Sequence, residues 1–576
     1  MKYVMSLFTL VVLISSAWAQ PHMPAKHDIA FNRYYDTAEI HAHMRAIAEG
    51  YPDLVEIQTI GQSMQGREML LAIVTAPGDD HSAKPAMFID GNIHGNEIQA
   101  AEVVLYTLWY LTKGYGNNEQ ITDLLDSYTF YLVPIENPDG RQIWFDSVNS
   151  PHSSRWNRTP IDNDRDGLVD EDGPDDLDGD GSIGQMWIRD PNGRWIRDRN
   201  DPRIFTRVAP DEKGEWTSLG QEGIDNDGDG RINEDGTDGY DMNRNWPADW
   251  LPNYVQQGAG PFPFHSPETR AIGEFVYAHP NIAGYQSYHN AGGMILRGPG
   301  AGYRAGQYPR SDTRVYNEIA KLGEQMLPYY RSMVIHADLY TVHGGEATWA
   351  AEALGIISFT NELWTASKYF QRDVSRPNEE QMWLHRDRLD FGQTFTPYTE
   401  IDHPQHGTVL VGGLNKWASR NTPTFMLEEE CHRNFAFTML HADQMPQVSL
   451  EELDVERLGD RLWSVTVTLE NDRLMPSRSG RQSSKKIGQP DLLTCTPTPT
   501  SGNGRVVASG RLSNDRDTTI DETRFEPGRV LLNSGVPGRG RRIHRFFIEG
   551  DEGTEVRIKY TSETAQDLEA VLELKG

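Results

Sequence analysis

Three apolar runs without a polar face limit most strongly what this chain can fold into: Met69-Leu70-Leu71-Ala72-Ile73-Val74, Ala86-Met87-Phe88-Ile89-Asp90, and Tyr128 to Val133. A strand with one face in water alternates apolar and polar residues, so unbroken runs predict strands covered on both faces. Between the second and third, Glu97 to Thr112 places Ile98, Val103, Val104, Leu108 and Leu111 at helical spacing. Asp36-Thr37-Ala38-Glu39 opens an earlier helical pattern that runs through Ile47 and ends near Gly50. Ile282 to His289 and Ile356 to Glu362 add two more strands. Buried strands interleaved with helices predict an α/β core, a mostly parallel sheet between two helical layers, with polar strand ends gathered along one edge.

At 576 residues the chain exceeds the roughly 250 to 300 that one core supports, so two or three units are expected. After about Pro446 the rhythm changes to short strands, at Leu462 to Leu469, Arg505 to Ala508, Arg545 to Ile548 and Glu555 to Tyr560, which predicts a β-sandwich over 446–576. The core unit then spans 20–445. Within it, residues 159–240 are rich in Asp, Gly and Arg and poor in aliphatic periodicity, as an insertion ordered by metal would be.

The N-terminus carries an apolar run from Val4 to Ser15 and then Ala17-Trp18-Ala19, a secretory signal peptide over 1–19 that predicts a secreted or periplasmic protein. No cysteine follows the expected cleavage point and no later stretch reaches the roughly 18 to 20 apolar residues of a membrane span. With 84 acidic against 54 basic residues and a formal charge of -30, nucleic acid is excluded as a partner. Only Cys431 and Cys495 are present, so an exported chain has at most one internal disulfide. Oligomeric state is not readable.

His94-Gly95-Asn96-Glu97 follows the strand ending at Asp90 and opens a helix, so His94 and Glu97 can converge on one ion. His289 ends a later strand and supplies a third ligand, leaving one position for water, as in a catalytic zinc site. Glu362 stands in the otherwise apolar Phe359-Thr360-Asn361-Glu362-Leu363, where an unpaired carboxylate is costly. Read alone it is either a salt-bridged strand-end residue or a general base beside activated water.

These segments, in this order, resemble the carboxypeptidase A-like zinc metallocarboxypeptidases, the funnelins, over roughly residues 28 to 445. The resemblance rests on Gly61-Gln62-Ser63 with Gly66-Arg67, His94-x-x-Glu97, Asn137-Pro138-Asp139-Gly140 and Asp241-Met242-Asn243-Arg244-Asn245-Trp246. It continues through His289, Tyr340 with Gly344-Gly345 and Trp349, and Phe359 to Leu363. It implies a three-layer α/β/α fold with a mixed sheet, one catalytic zinc on His94, Glu97 and His289, and Glu362 as the base that removes a proton from water. Asn243 and Arg244 would bind the C-terminal carboxylate of a peptide or protein, Asp241 would orient His94, and Tyr340 would close over the substrate. The oxyanion role falls on an Arg of Ser154-Arg155-Trp156-Asn157-Arg158, where the Trp is displaced from its usual place; Arg155 is taken for it, with Arg158 as its substrate-side neighbour. Asn96 stands where the digestive branch has Arg, and Gly91-Asn92-x-His94-Gly95-Asn96-Glu97 is closer to the regulatory branch, whose members carry a β-sandwich and lack an inhibitory pro-segment. About 75 residues separate Gln20 from His94, the length of the family's own first helix and strand. The terminal-residue pocket would lie near Glu346-Ala347-Thr348, and it does not declare a preference.

In the insertion, Asp162 to Gly173 and Asp225 to Gly236 are near copies, each with Asp or Asn at positions one, three and five and Gly at six, the opening of a calcium loop. A third, degenerate copy begins at Asp176. The ligands expected are Asp162, Asp164, Asp166 and Asp170, then Asp225, Asp227, Asp229 and Asn233; position twelve is Gly, so Glu171 or Asp172, and Glu234 or Asp235, would close the shells. The function expected is a secreted zinc carboxypeptidase. The alternatives are a carboxypeptidase or amidase acting on peptidoglycan stem peptides, and a metal-dependent binding protein that has lost catalysis.

Overall fold

The computed structural model describes residues 23–576 except 79, 149, 151–153, 163–166, 171, 234–238, 375–378, 499–503 and 515. The signal-peptide segment and the expected ligands Asp164 and Asp166 therefore lie outside the described residues. Eight strands build the central sheet: β1 (Val55–Gln62), β2 (Glu68–Val74), β3 (Ala86–Gly91), β4 (Thr129–Val133), β5 (Ile282–Asn290), β6 (Met294–Arg297), β7 (Arg331–Val334) and β8 (Ile357–Leu363). Their order is β1-β2-β4-β3-β5-β8-β6-β7. The middle four run parallel, whereas β1 on β2, β2 on β4 and β6 on β8 pair antiparallel, so the sheet is mixed.

Because successive side chains point to opposite faces, each apolar run feeds two cores at once. Leu70, Ala72, Val74, Met87, Ile89, Phe130 and Leu132 meet the helices Thr37–Gly50, Gln99–Gly114, Arg310–Met326 and Leu427–Asp443 in one core. Met69, Leu71, Ile73, Phe88, Tyr131 and Val133 meet the helix Pro267–Ala278 with Trp246 and Trp349 in the other. The first helix starts on a reciprocal cap, Asp36 accepting from the Glu39 backbone while Glu39 accepts from the Asp36 backbone.

The insertion is more structured than its composition predicts. Gln185–Arg189, Trp195–Arg197, Phe205–Arg207 and Trp216–Gln221 are strands, and a hairpin from far downstream, Phe395–His403 and Gly407–Leu414, completes a six-stranded sheet with them. Its core is aromatic: Trp187 stacks on Phe205 at 4.0 Å, with Trp216 and Leu410 beside them. Aromatic residues spaced by Gly and Asp turns bury as much surface as aliphatics do, without aliphatic periodicity.

At the C-terminal end a five-stranded and a four-stranded sheet face each other across one core. Trp463, Val465, Val467, Leu469, Phe546 and Ile548 come from one sheet, and Leu493, Cys495, Val556, Ile558 and Tyr560 from the other. Cys431 lies in the helical core and Cys495 in this one, and both are free. Among the described residues no helix is long and apolar enough to cross a membrane.

Candidate active site

The carboxyl ends of the parallel strands β3, β4, β5 and β8 share one edge, the usual place for ligands in such sheets. β3 ends into the turn that carries His94 and Glu97. Asn92 bends this turn with a left-handed backbone (φ 61°), and its side-chain amide donates to the His94, Gly95 and Glu97 carbonyls. A Cβ at Gly95 would stand 2.2 Å from the Ser154 carbonyl oxygen and 2.5 Å from Cα of Gly140, so the motif's glycines admit its neighbours. Asn137 donates to the carbonyls of Ile93 and Trp156, and the buried Arg141 donates to Asn92, to the Ile98 carbonyl and to Glu102. Asp139 accepts from Ser63 and Arg67 and so explains the Gly61–Arg67 motif.

His94, Glu97 and His289 are buried, with one ligand atom of each within 4.8 Å of the others. His94 Nε2 bonds Asp241 at 3.0 Å. Its Nδ1 has no hydrogen-bond partner and faces Glu97 Oε1 at 3.0 Å. His289 Nδ1 lies 3.0 Å from Glu97 Oε2, which also accepts from the Asn290 backbone. Two imidazole nitrogens and a carboxylate, with a carboxylate behind one ring and an orphaned nitrogen aimed inward, are a donor set that fits zinc. Burial would raise the Glu97 carboxyl, but the two histidines hold it well below the usual carboxylate range. For Asp241 too, burial acts upward and is overridden by Arg244, His94 and Arg155, which hold its carboxyl down.

Glu362 on β8 is the register partner of His289 on β5. Burial and the nearby Glu97 push its carboxyl up to about 7, against the pull of His289, Arg155 and Arg420. Arg155 Nη1 donates to Glu97 Oε1 at 2.8 Å, and Arg155 Nη2 lies 3.5 Å from Asp241; Arg158 reaches Asp170 at 3.8 Å. Asn243 bridges His289 Nε2 (3.3 Å) and the Glu346 backbone N–H (2.9 Å). Arg244 is buried beside it, donating to the Asn243 carbonyl, and Tyr340 is exposed, its backbone N–H donating to the Ile335 carbonyl.

Arg420 is absent from the sequence reading, yet its Nη1 donates to Glu97 Oε1 at 3.2 Å and to the Asn290 carbonyl at 2.8 Å. The residues after it bind the metal-motif turn, Asn421 donating to the Asn96 carbonyl and Thr422 to Gln99. No local pattern marks Arg420; only the approach of a segment more than 300 positions away identifies it.

The Asp loops share one geometry. In each copy the first Asp accepts from the backbone N–H of the Gly at position six: Asp162 from Gly167 (3.1 Å), Asp176 from Gly181 (3.0 Å) and Asp225 from Gly230 (3.1 Å). Those glycines have φ of 100°, 84° and 92°. Among the described residues of the insertion two acidic groups form: Asp172 with Asp225 and Asp227, which joins two copies, and Asp176 with Asp178 and Glu222, which joins the third copy to a residue just before the second. Asp170 and Asp229 stand outside both, Asp170 facing Arg158 and Asp229 accepting from the Arg231 backbone, while Asn233 donates to the Gln221 and Glu222 carbonyls and keeps its buried Oδ1 unpartnered. Asp162 is likewise in neither group.

Fold and site together define a mixed-sheet α/β protein with a buried His, Glu, His group that fits a metal ion at the ends of its parallel strands. The sequence pattern of the zinc carboxypeptidases matches residues 40–176 and 183–385, more than half of the chain, and the chain belongs to that family. Residues 447–573 match a domain of unknown function. Among curated relatives, carboxypeptidase D of Drosophila melanogaster is 31% identical over 130 residues, 22% of this chain and 9% of that protein. Carboxypeptidase B of Astacus astacus is 36% identical over 112 residues, 19% of this chain and 35% of its own. The aligned stretches thus span under a tenth of the carboxypeptidase D chains. Among solved structures, thrombin activatable fibrinolysis inhibitor aligns with 17% identity and a TM-score of 0.44, covering 72% of this chain and 74% of that one.

Proposed function

We propose that this protein is an exported zinc metallocarboxypeptidase that releases C-terminal residues from peptides or proteins. The observation that carries the reading is Glu362 in register with His289, beside the buried group of His94, Glu97 and His289. When bound by those three residues, zinc supplies Lewis acidity toward the scissile carbonyl and makes water easier to deprotonate. Glu362 takes a proton from the attacking water and passes one to the leaving amine. Arg155 donates to the oxygen that gains charge. Arg244, with Asn243, receives the terminal carboxylate of the substrate through a planar, permanently charged fork, which restricts cleavage to chain ends. Asp241 keeps His94 oriented, and Tyr340 closes from the rim. Export is supported by the apolar N-terminal run and its Ala17-Trp18-Ala19 end.

Calcium belongs to the same reading, as a structural ion of the insertion. Its support is the threefold Asp-to-Gly turn and Asp172, which is fully buried with Oδ2 unpartnered beside Asp225 and Asp227.

Glu362→Gln tests the catalytic assignment. Release of a C-terminal residue from a peptide, read by mass, should fall by at least about a hundredfold, the lower range for a positioned acid–base group, while bound zinc stays at wild-type level. Near-normal turnover by this variant would overturn it.

A further inference from the structure

Three more acids lie close to the same strand ends. Asp90 is the last residue but one of β3, Glu136 lies three residues past β4, and Glu346 opens the short helix Glu346–Trp349. All three are buried, with carboxylate oxygens within 4.8 Å of one another. Glu346 accepts from Tyr285 (2.7 Å) and Ser287 (3.0 Å), and Ser287 is the register partner of Asp90. All four oxygens of Asp90 and Glu136 are buried and accept no hydrogen bond. Among the described residues no Lys, Arg or His nitrogen lies within 4.0 Å of any of the three carboxylates.

Three buried carboxylates with no ion-pair partner among the described residues are a costly arrangement for a core. Two other buried acids of the core have a counter-charge: Glu102 faces Arg141 and Glu430 faces Lys368. We propose that Asp90, Glu136 and Glu346 bind a second divalent cation, a hard ion of the calcium, magnesium or manganese class. The donor set is oxygen alone, which selects hard ions over zinc. Oxygens about 2.4 Å from one ion stand at most about 4.8 Å apart; one oxygen of each acid lies within that limit of the others, and the Tyr285 and Ser287 hydroxyls are at hand as further oxygens. Without the ion, burial and the neighbouring acids hold the Asp90 and Glu136 carboxyls far above the usual range.

The ion would tie together the segments that present the active site. Asp90 lies four residues before His94, Ser287 two before His289, and Glu136 is adjacent to Asn137, which anchors the His94 turn. The Glu346 backbone N–H donates to Asn243. The ion is therefore a brace below the zinc ligands and separate from them.

Elemental analysis of the full chain tests this, after equilibration with zinc and then with calcium, magnesium or manganese, followed by desalting. Wild type is compared with Glu136→Gln, which keeps size and shape. The variant should carry one equivalent less of the hard metal, with zinc undiminished, and should gain less in Tm when that metal is added. The calcium loops of the insertion are the same in both proteins and cancel in the difference. Equal hard-metal content in the two overturns the proposal and assigns the cluster to shared protons. Should Glu136→Gln not fold, Glu346→Gln is read the same way, because its amide oxygen can still accept from Tyr285 while its NH2 donates to the Ser287 hydroxyl oxygen.

Discussion

Glu362 must be ionised to accept a proton, and its carboxyl is pushed up to about 7 by burial and by Glu97. Its contribution is complete above that value and is lost as pH falls through it; a bound dication shifts the loss lower. The acid limb of kcat/KM should therefore have an apparent pKa at or below about 7, and a rate that climbs on acidification from pH 7 to 5 would contradict the role of Glu362. Arg420 yields a second prediction at this scale. It is one of two guanidinium partners of Glu97 Oε1. Arg420→Gln should lower kcat/KM by roughly tenfold to a hundredfold, somewhat less than the loss of one oxyanion donor, and added guanidinium should partly restore an Arg420→Gly variant. Unchanged kinetics with a native circular-dichroism spectrum would remove it from the site. Arg420 also marks the limit of local reading. His94, Glu97, His289 and Glu362 are legible because strand ends and a helix start announce them, whereas Arg420 follows Ala418-Ser419 in a segment with no such signal.

At the scale of elements, the buried strands of the core were readable because both faces are apolar, and β2, β3, β5 and β8 fall where the runs are. The insertion was half readable. Its Asp loops repeat in sequence and repeat in backbone geometry, but its six-stranded sheet needs a hairpin that arrives some 170 residues later, between Phe395 and Leu414. The meeting of one copy with another, Asp172 with Asp225, and of Asp176 with Glu222 outside the copies, is likewise invisible in the local pattern. Withdrawing calcium while zinc is buffered should raise proteolysis between residues 160 and 240. An ion held at a hundred times its Kd contributes about 2.7 kcal/mol, so Tm should fall measurably as well. Digestion and melting that ignore the chelator would remove calcium from the account.

Across the whole molecule, buried histidines in separate cores each contribute to the response to acid. Burial holds His441 at about 3 and His544 at about 4, and no ring nitrogen of either has a hydrogen-bond partner. An unfolded histidine takes its proton near 6.5. For these two groups the unfolded state binds more protons below that pH, so the stability they contribute falls from about pH 6.5 toward 4 for His544 and toward 3 for His441. The full loss is about 3 kcal/mol for His544 and about 5 kcal/mol for His441, and it is opposed by Glu102, Glu222, Glu268 and Glu362, whose folded carboxyls are pushed up to about 7 and gain stability on protonation. Comparison with His544→Phe isolates one share: the wild type should lose Tm relative to the variant between pH 7 and 4.5, and a difference that does not change with pH would count against the role of His544. The two parts are also joined: Asp312 of the core accepts from the Gly480 and Arg481 backbones, and Arg481 donates back to the Glu352 carbonyl. Acid loosening of one is thus expected to be felt by the other.

Local pattern by itself determined the buried central strands, the first two helices and the Asp turns, because each depends on residues a few positions apart and on whether a face is apolar; the roles of the metal motif came from the family resemblance. The tertiary structure alone decided which guanidinium reaches Glu97, which strands complete the insertion's sheet, and that Asp90, Glu136 and Glu346 share one buried point. Those are meetings of segments far apart in the chain, fixed by how whole layers pack, and no local spacing encodes them.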